Sequence, residues 1–130
     1  MNGNKVALDT NQAIAILNNA IDPEKIRPYD EIYLPVPVVG ELRFGALSSQ
    51  RQSENLERID KLVHRCSVLV IDEQTTPVYA SIRRDLKQKG RPIPGNDVWI
   101  AALCVHHSLP LATDDSHFLE ISDLQMVSLM

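Results

Sequence analysis

The sequence predicts a single α/β domain with a mainly parallel five-stranded sheet, because short apolar runs alternate with longer segments of helical periodicity. No stretch rich in proline, glycine or serine divides the chain. We therefore expect residues 1–130 to form one domain, which is long enough to bury its own core. The apolar, largely β-branched run Val68–Ile71 predicts a strand buried on both faces, as is typical of parallel sheets.

The first predicted elements are a strand, a helix and a second strand. Lys5–Leu8 has the length and apolar character of a strand, and apolar residues at three-to-four spacing from Asn11 onward predict a helix. Pro23 ends that helix or begins a turn of its own. Glu31–Leu34 is the second predicted strand.

Three helices are predicted in the middle of the chain. Pro37 suits the first turn of a helix that runs to about Ser48, since its missing N–H costs least there. Ser53–His64 carries apolar residues on one side and predicts the next helix. A long helix is predicted at Thr76–Lys89, and Gly90 is a natural residue to end it.

The last predicted elements are one helix and two strands. Asn96 or Asp97 is expected to cap a helix that reaches His107. Pro110–Ala112 and Leu124–Leu129 are the fourth and fifth predicted strands. Strands separated mostly by helices are what a parallel sheet requires.

The composition is that of a globular protein in a reducing compartment. Cys66 and Cys104 lack metal-ligand spacing and are too few for a disulfide scaffold, which favours a cytoplasmic location. Neither a signal peptide nor an apolar stretch of membrane-spanning length is apparent, so we expect no membrane association. The formal net charge of −4 argues against broad nonspecific nucleic-acid binding, although a local basic stretch remains compatible with holding a strand.

Four acidic residues stand at the ends of apolar segments: Asp9, Glu41, Asp97 and Asp115. Burying a carboxylate is costly unless something pairs with it. Asp9 and Asp115 each follow a predicted strand, and functional groups of parallel sheets collect beyond the carboxyl ends of strands. Taken singly, Asp9, Asp97 and Asp115 also suit plain helix N-caps. If the fold gathers all four acids, a divalent metal ion is their natural partner.

Four segments carry a resemblance to a known family: Asp9–Asn11, Val38–Gly45, Ile93–Ala102 and Leu111–Phe118. Their order and flanking residues resemble the PIN domain, specifically the VapC-type toxin ribonucleases of bacterial toxin–antitoxin pairs. The resemblance covers essentially the whole chain. It implies a PIN-like three-layer sandwich whose sheet has the order 3-2-1-4-5, with helices on both sides. It also implies a metal-dependent endoribonuclease that cleaves RNA, forms a homodimer and is blocked by a cognate VapB-like antitoxin.

Carried over position by position, the acidic quartet of that family falls on the four acids already described. We predict that Asp9, Asp97 and Asp115 bind Mg²⁺ or Mn²⁺, the ions that oxygen ligands favour. Glu41 is predicted to assist as a further ligand or as the general base to a bound water.

The segment around Asp115 leaves an alternative open. Asp114 is the reserve candidate for the fourth acid, because successive residues of an extended segment point in opposite directions. Asn11 and Thr113 are predicted to orient the acids or a bound water.

Five basic residues are candidates for binding RNA: Arg43, Arg83, Arg84, Lys87 and Arg91. Most of them belong to the densest basic stretch of the chain, which leads directly into the segment before Asp97. An ordinary solvated helix face explains that stretch equally well, and Arg43 also suits a counter-ion.

Two rival functions use similar acids. One is a catalytically inactive PIN-like interaction module, and the other is a receiver-like signalling domain that binds Mg²⁺. A receiver needs paired acids after the first strand and a lysine after the last, whereas here Asp9 stands alone and no lysine follows Glu120. The four histidines show no ligand spacing and receive no primary role, although His117 lies close to Asp115.

Overall fold

The structure is a computed structural model that describes residues 4–129. Five strands form one sheet: β1 (Lys5–Leu8), β2 (Glu31–Pro35), β3 (Ser67–Leu69), β4 (Leu111–Ala112) and β5 (Met126–Val127). Their order is β3-β2-β1-β4-β5, and every pairing is parallel. The predicted parallel sheet and its strand order are therefore confirmed.

In the described part of the chain, six α-helices flank the sheet: α1 (Thr10–Leu17), α2 (Pro23–Ile26), α3 (Val36–Leu47), α4 (Gln52–Arg65), α5 (Thr76–Gln88) and α6 (Gly95–His106). Short 3₁₀ turns cover Glu73–Thr75 and Ser116–Glu120. As predicted, Pro37 lies in the first turn of its helix, and Gly90 follows α5 with a φ of 67°, a left-handed conformation that glycine tolerates. Within residues 4–129, no helix has both the length and the apolar character needed to cross a membrane.

The core lies around β1 and α6. Val6, Ala7 and Leu8 have no exposed surface, because β1 has a neighbouring strand on each side. The segment Ile100–Cys104 of α6 is buried at every position, as expected of a helix that is apolar all round. These two buried elements fix the positions of the acids that follow β1 and begin α6.

The prediction that Val68–Ile71 is a strand buried on both faces is wrong. The strand order leaves β3 at an edge of the sheet, where it pairs with β2 alone. Val68 and Ile71 are 37% exposed and Val70 is 59% exposed. An apolar run indicates strand character, but the strand order decides whether the strand is central.

The predicted cap of α6 is also wrong. The helix begins at Gly95, after the extended backbone of Pro94, and none of the described side chains caps it. Asp97 lies in the first turn instead of preceding it, which still places its negative charge near the positive end of the helix dipole. The fifth strand is shorter than the predicted Leu124–Leu129, since only Met126–Val127 pairs with β4.

Candidate active site

The carboxyl ends of β1 and β4 bring two distant segments together. The two strands are neighbours in register, with Leu8 beside Ala112. The N–H of Asp9 donates to the carbonyl of Ala112 at 3.2 Å, so Asp9 and Thr113 leave the sheet side by side. The parallel pairing thus produces the convergence that the sequence predicts for Asp9 and the segment of Asp115.

Asp9 is buried, and both of its oxygens are hydrogen-bonded. Oδ1 accepts from the N–H of Gln12 at 2.9 Å, so Asp9 caps α1. Oδ2 accepts from the hydroxyl of Thr113 at 2.5 Å. The same hydroxyl oxygen accepts from the N–H of Asp115 at 3.0 Å. Thr113 therefore connects two of the predicted acids and fixes one face of Asp9.

Asp97, Asp115 and His117 form a tight group at the same place. His117 Nδ1 lies 3.3 Å from Asp97 Oδ2 and 3.4 Å from Asp115 Oδ1. One ligand atom from each of the three residues lies within 4.8 Å of the others. This spacing suits a metal ion. The proximity of His117 to an acid was visible in the sequence, but its contact with Asp97 depends on how α6 meets the turn Ser116–Glu120.

Glu41 approaches the group from α3. Its Oε1 accepts from Nδ2 of Asn96 at 2.6 Å, and Asn96 immediately precedes Asp97. Glu41 is exposed, so it faces solvent at the rim of the site while its charge acts on Asp97. The sequence predicts only a helix cap for Asn96, because its contact with Glu41 depends on the packing of α3 beside α6.

The carboxyl groups of Asp9 and Asp97 have raised pKa values, so both are harder to ionise than a free aspartate. Burial raises the pKa of Asp9 above its ordinary value of 3.8, the hydrogen bonds from Thr113 and Gln12 lower it, and the charges of Asp115 and Asp97 raise it again. Burial also raises the pKa of Asp97. Negative charges drawn together in this way favour a divalent cation, and the oxygen-rich donor set fits Mg²⁺ or Mn²⁺.

The structure separates Asp114 from Asp115. Asp114 accepts from Nε2 of Gln12 at 2.9 Å and from the hydroxyl of Ser128 at 3.2 Å, so its carboxylate is engaged beside the site and not within the group of Asp115. Asn11 is exposed and, across residues 4–129, donates no hydrogen bond to an acid of the site.

Gln12 makes contacts with acidic side chains of the kind that the sequence predicts for its neighbour Asn11. It is only 3% exposed, its N–H donates to Oδ1 of Asp9 and its Nε2 donates to Oδ2 of Asp114. The side-chain oxygen of Gln12 is buried and has no hydrogen-bond partner among residues 4–129. Its sequence position after a candidate acid was the only available signal, because the direction of the first helical turn decides which residue faces inward.

The basic candidates divide into two groups. Arg43 joins α3 to α4 through Asp60, with 2.9 Å between Nη1 and Oδ1, and thus acts as a counter-ion. Arg83, Arg84 and Lys87 line a groove of about 720 Å³ that runs between α5 and the beginning of α6.

The groove carries further contacts. Nη1 of Arg83 donates to the hydroxyl of Tyr79 at 2.9 Å, and the Tyr79 ring stacks on Trp99 with 3.8 Å between centroids. Gly95 lines the groove as well, so one end of it lies next to the turn that carries Asp97. Arg91 lies nearby, 3.7 Å from the carboxylate of Glu120.

Known proteins resemble this chain over nearly its whole length. A sequence profile of the PIN domain matches residues 6–124. Ribonuclease VapC1 of Haemophilus influenzae strain R2866 is 33% identical over 124 residues, which cover 91% of this chain and 92% of that protein. The solved structure of VapBC-1 from nontypeable Haemophilus influenzae is 32% identical with a TM-score of 0.85, over 96% of this chain and 98% of that chain. VapBC-5 from Mycobacterium tuberculosis, a member of the VapBC family of toxin-antitoxin systems, is 25% identical with a TM-score of 0.75, over 95% and 98%.

Proposed function

This chain belongs to the PIN domain family, and from that premise we propose that it is a divalent-metal-dependent endoribonuclease, the toxin of a toxin–antitoxin pair. The observation that carries the proposal is the meeting of four acids from separate segments: Asp9, Glu41, Asp97 and Asp115. The rival reading as an inactive module is disfavoured, because an interaction surface alone gives no reason to bury carboxylates against one another.

Asp97 and Asp115, with Asp9 beside them, would hold the ion. Mg²⁺ or Mn²⁺ held there would supply polarisation of a phosphate oxygen and a lowered pKa of a bound water. The exposed carboxylate of Glu41, held by Asn96, would accept a proton from the water that attacks phosphorus, and the 3′-oxygen would leave in line and take a proton from solvent. The hydrogen bonds of Thr113 fix Asp9 and the backbone of Asp115 before substrate arrives, which is the support that metal ligands require.

Removal of divalent metal is expected to abolish cleavage of RNA. Purified protein treated with EDTA should leave a circular RNA intact, and added Mg²⁺ or Mn²⁺ should restore opening of the circle, because a circle has no end for an exonuclease. An Asp9→Ala variant purified in parallel controls for contaminating ribonucleases. Cleavage that persists in EDTA, or that the variant matches, would overturn the proposal.

We propose that the groove of Arg83, Arg84 and Lys87 binds the RNA backbone. Arg84→Glu with Lys87→Glu should weaken RNA binding and reduce the slope of log K against log salt by about 1.4, the value for two phosphate contacts on a single strand. Lys25→Glu with Arg27→Glu makes the same charge change at two exposed residues, one on α2 and one directly after it, and should leave the slope unchanged. Equal slopes for both double variants would show that the basic stretch is an ordinary solvated helix face that does not bind RNA.

We propose that an apolar segment of the antitoxin occupies the groove between α1, α3 and α4. Ile14, Leu42 and Ala46 line this groove, and Glu41 lines it too, so an occupant reaches the acidic site. Phe44 lies on the same helix and is 68% exposed. The homodimer that the family resemblance implies stays a prediction.

Ile14→Asp should prevent inhibition by the antitoxin while leaving the isolated ribonuclease active. Ile14 lines the groove and is 40% exposed, so the change costs little packing, and the new charge opposes an apolar partner near an acidic site. Leu119→Asp is a matched control, since Leu119 is 71% exposed and does not line that groove. Inhibition assays with the co-expressed antitoxin measure the effect, and full inhibition of Ile14→Asp would contradict the assignment.

A further inference from the structure

We propose that His117 is a nitrogen ligand of the metal ion and that it biases the site toward Mn²⁺ over Mg²⁺. The proposal rests on the proposed function, because it concerns the same ion. It departs from the all-carboxylate set predicted from the sequence, in which the ligands are Asp9, Asp97 and Asp115. The geometry that carries it is the placement of one imidazole nitrogen between two of those carboxylates.

The Nδ1 atom of His117 is positioned to act as a metal ligand. It lies 3.3 Å from Asp97 Oδ2 and 3.4 Å from Asp115 Oδ1. Ligand atoms on adjacent corners of an octahedron with bonds of about 2.1 Å are roughly 3 Å apart, so these distances need little adjustment to accept an ion. The imidazole nitrogen therefore lies close to the required separation from one oxygen of each carboxylate, and the ligand atoms of all three residues lie within 4.8 Å of one another.

The backbone also holds His117 in place. Its N–H donates to Asp115 Oδ1 at 2.9 Å, which ties the residue to the carboxylate that its ring approaches. Asp115 caps the 3₁₀ turn Ser116–Glu120, and Phe118, the residue after His117, is 1% exposed. A buried anchor on one side and a cap on the other restrict where the imidazole reaches, although the ring itself is half exposed.

Nitrogen in the ligand set changes which ion is preferred. Mg²⁺ favours oxygen ligands and retains its waters, whereas imidazole contributes increasingly along the series from Mn²⁺ to Co²⁺ and Ni²⁺. Neutral histidine is among the commonest ligands of such ions. A site made of Asp97, Asp115 and His117 is thus expected to bind Mn²⁺ more tightly than Mg²⁺ by a margin that the imidazole supplies.

A positioning role for His117 predicts a different result. If the ring only orients Asp97 through a hydrogen bond, its removal weakens every divalent ion by a similar factor, because the carboxylates then bind all of them less well. If the ring is a ligand, its removal affects Mn²⁺ and Co²⁺ more than Mg²⁺. The ratio of affinities therefore separates the two roles without reference to activity.

The test compares the wild type with His117→Ala by calorimetric titration of Mn²⁺, Co²⁺ and Mg²⁺. We expect His117→Ala to lose about 10-fold or more in affinity for Mn²⁺, and more for Co²⁺, with a change of about 3-fold or less for Mg²⁺. His107→Ala, at the opposite end of α6, is the matched control and should bind all three ions like the wild type. Equal losses for Mn²⁺ and Mg²⁺, or no loss, would overturn the proposal.

A second measurement needs no variant. Electron spin echo envelope modulation of the Mn²⁺-loaded wild type should show coupling of the ion to ¹⁴N. Absence of this coupling would overturn the ligand assignment even if His117→Ala fails to fold. The two hypotheses fail separately. A wild type that binds no divalent ion contradicts the proposed function, whereas a wild type that binds Mn²⁺ and cleaves RNA without nitrogen coupling contradicts the role of His117 alone.

Discussion

Asp97→Asn is expected to lower the rate of RNA cleavage by at least about 10³-fold while stabilising the metal-free protein. Loss of a metal ion that stabilises charge in the transition state costs several kcal/mol, and about 4 kcal/mol corresponds to three powers of ten. Asparagine keeps the size of the side chain and leaves the buried segment Ile100–Cys104 untouched, so the loss reports the missing charge. The measurement is a single-turnover cleavage assay with saturating Mg²⁺ or Mn²⁺.

The gain in stability follows from the sign of the pKa shift. Burial raises the pKa of Asp97 above 3.8, the hydrogen bond of His117 lowers it, and the charge of Asp115 raises it. For a carboxyl with a raised pKa, folding is favoured most below the unfolded pKa and becomes less favoured as the pH rises through the folded pKa. At neutral pH the metal-free protein therefore bears the full cost of ionising Asp97, and asparagine removes that cost.

Thermal unfolding in EDTA measures this effect. We expect Asp97→Asn to raise Tm at pH 7 by a few degrees, which corresponds to roughly 1 kcal/mol, and to lose this advantage below about pH 4. Asp123→Asn removes an exposed acid elsewhere and should show no such gain. A variant that cleaves RNA at the wild-type rate, or that unfolds at a lower temperature than the wild type at pH 7, would contradict this account of Asp97.

Thr113→Val is expected to cost both metal affinity and stability. The hydroxyl is buried, donates to Asp9 and accepts from the N–H of Asp115. Valine has nearly the same shape but leaves both groups without their partner, which costs about 1–3 kcal/mol in unfolding free energy. Loss of an orienting contact behind a metal ligand typically weakens metal binding by about 10- to 100-fold.

The change at Thr113 also shifts a pH profile. Its hydrogen bond lowers the pKa of Asp9 against the larger raising effect of burial, so its removal moves that pKa higher. Metal binds the ionised carboxylate, and we therefore expect Mn²⁺ binding to Thr113→Val to require a higher pH. Thr113→Ser retains the hydroxyl and should stay close to the wild type. Identical pH profiles for the valine and serine variants would show that Thr113 does not orient Asp9.

The sequence was sufficient for the parts of the site that depend on regular structure. Asp9 and Asp115 follow strands, and the carboxyl ends of neighbouring parallel strands meet, so their convergence was predictable once β1 and β4 were adjacent. That adjacency came from the family resemblance, because alternation of strands and helices does not determine strand order. The apolar run of β3 likewise predicted a buried strand, whereas the strand order implied by the resemblance places β3 at an edge, as the structure does.

The remaining contacts depend on side-chain direction in irregular or terminal segments. Asn96 and His117 lie at the start of a helix and in a 3₁₀ turn, where no periodicity indicates which way a side chain points. Gln12 is buried and Asn11 is exposed, although Asn11 is the residue predicted to face the site. Successive residues of α1 point in different directions, so an error of one position exchanges a buried residue for an exposed one. Such positions are fixed by the packing of α6 against α3 and the 3₁₀ turn, and that packing is a property of the whole fold.

We propose above all that carboxylates from separate segments together bind a divalent ion beyond the carboxyl ends of β1 and β4. Anomalous diffraction from crystals grown with Mn²⁺ tests it most directly. The account predicts a peak within bonding distance of carboxylate oxygens from both Asp97 and Asp115, and no peak at that place in Asp97→Asn. A manganese peak elsewhere on an active protein, with the space between Asp97 and Asp115 empty, would contradict it.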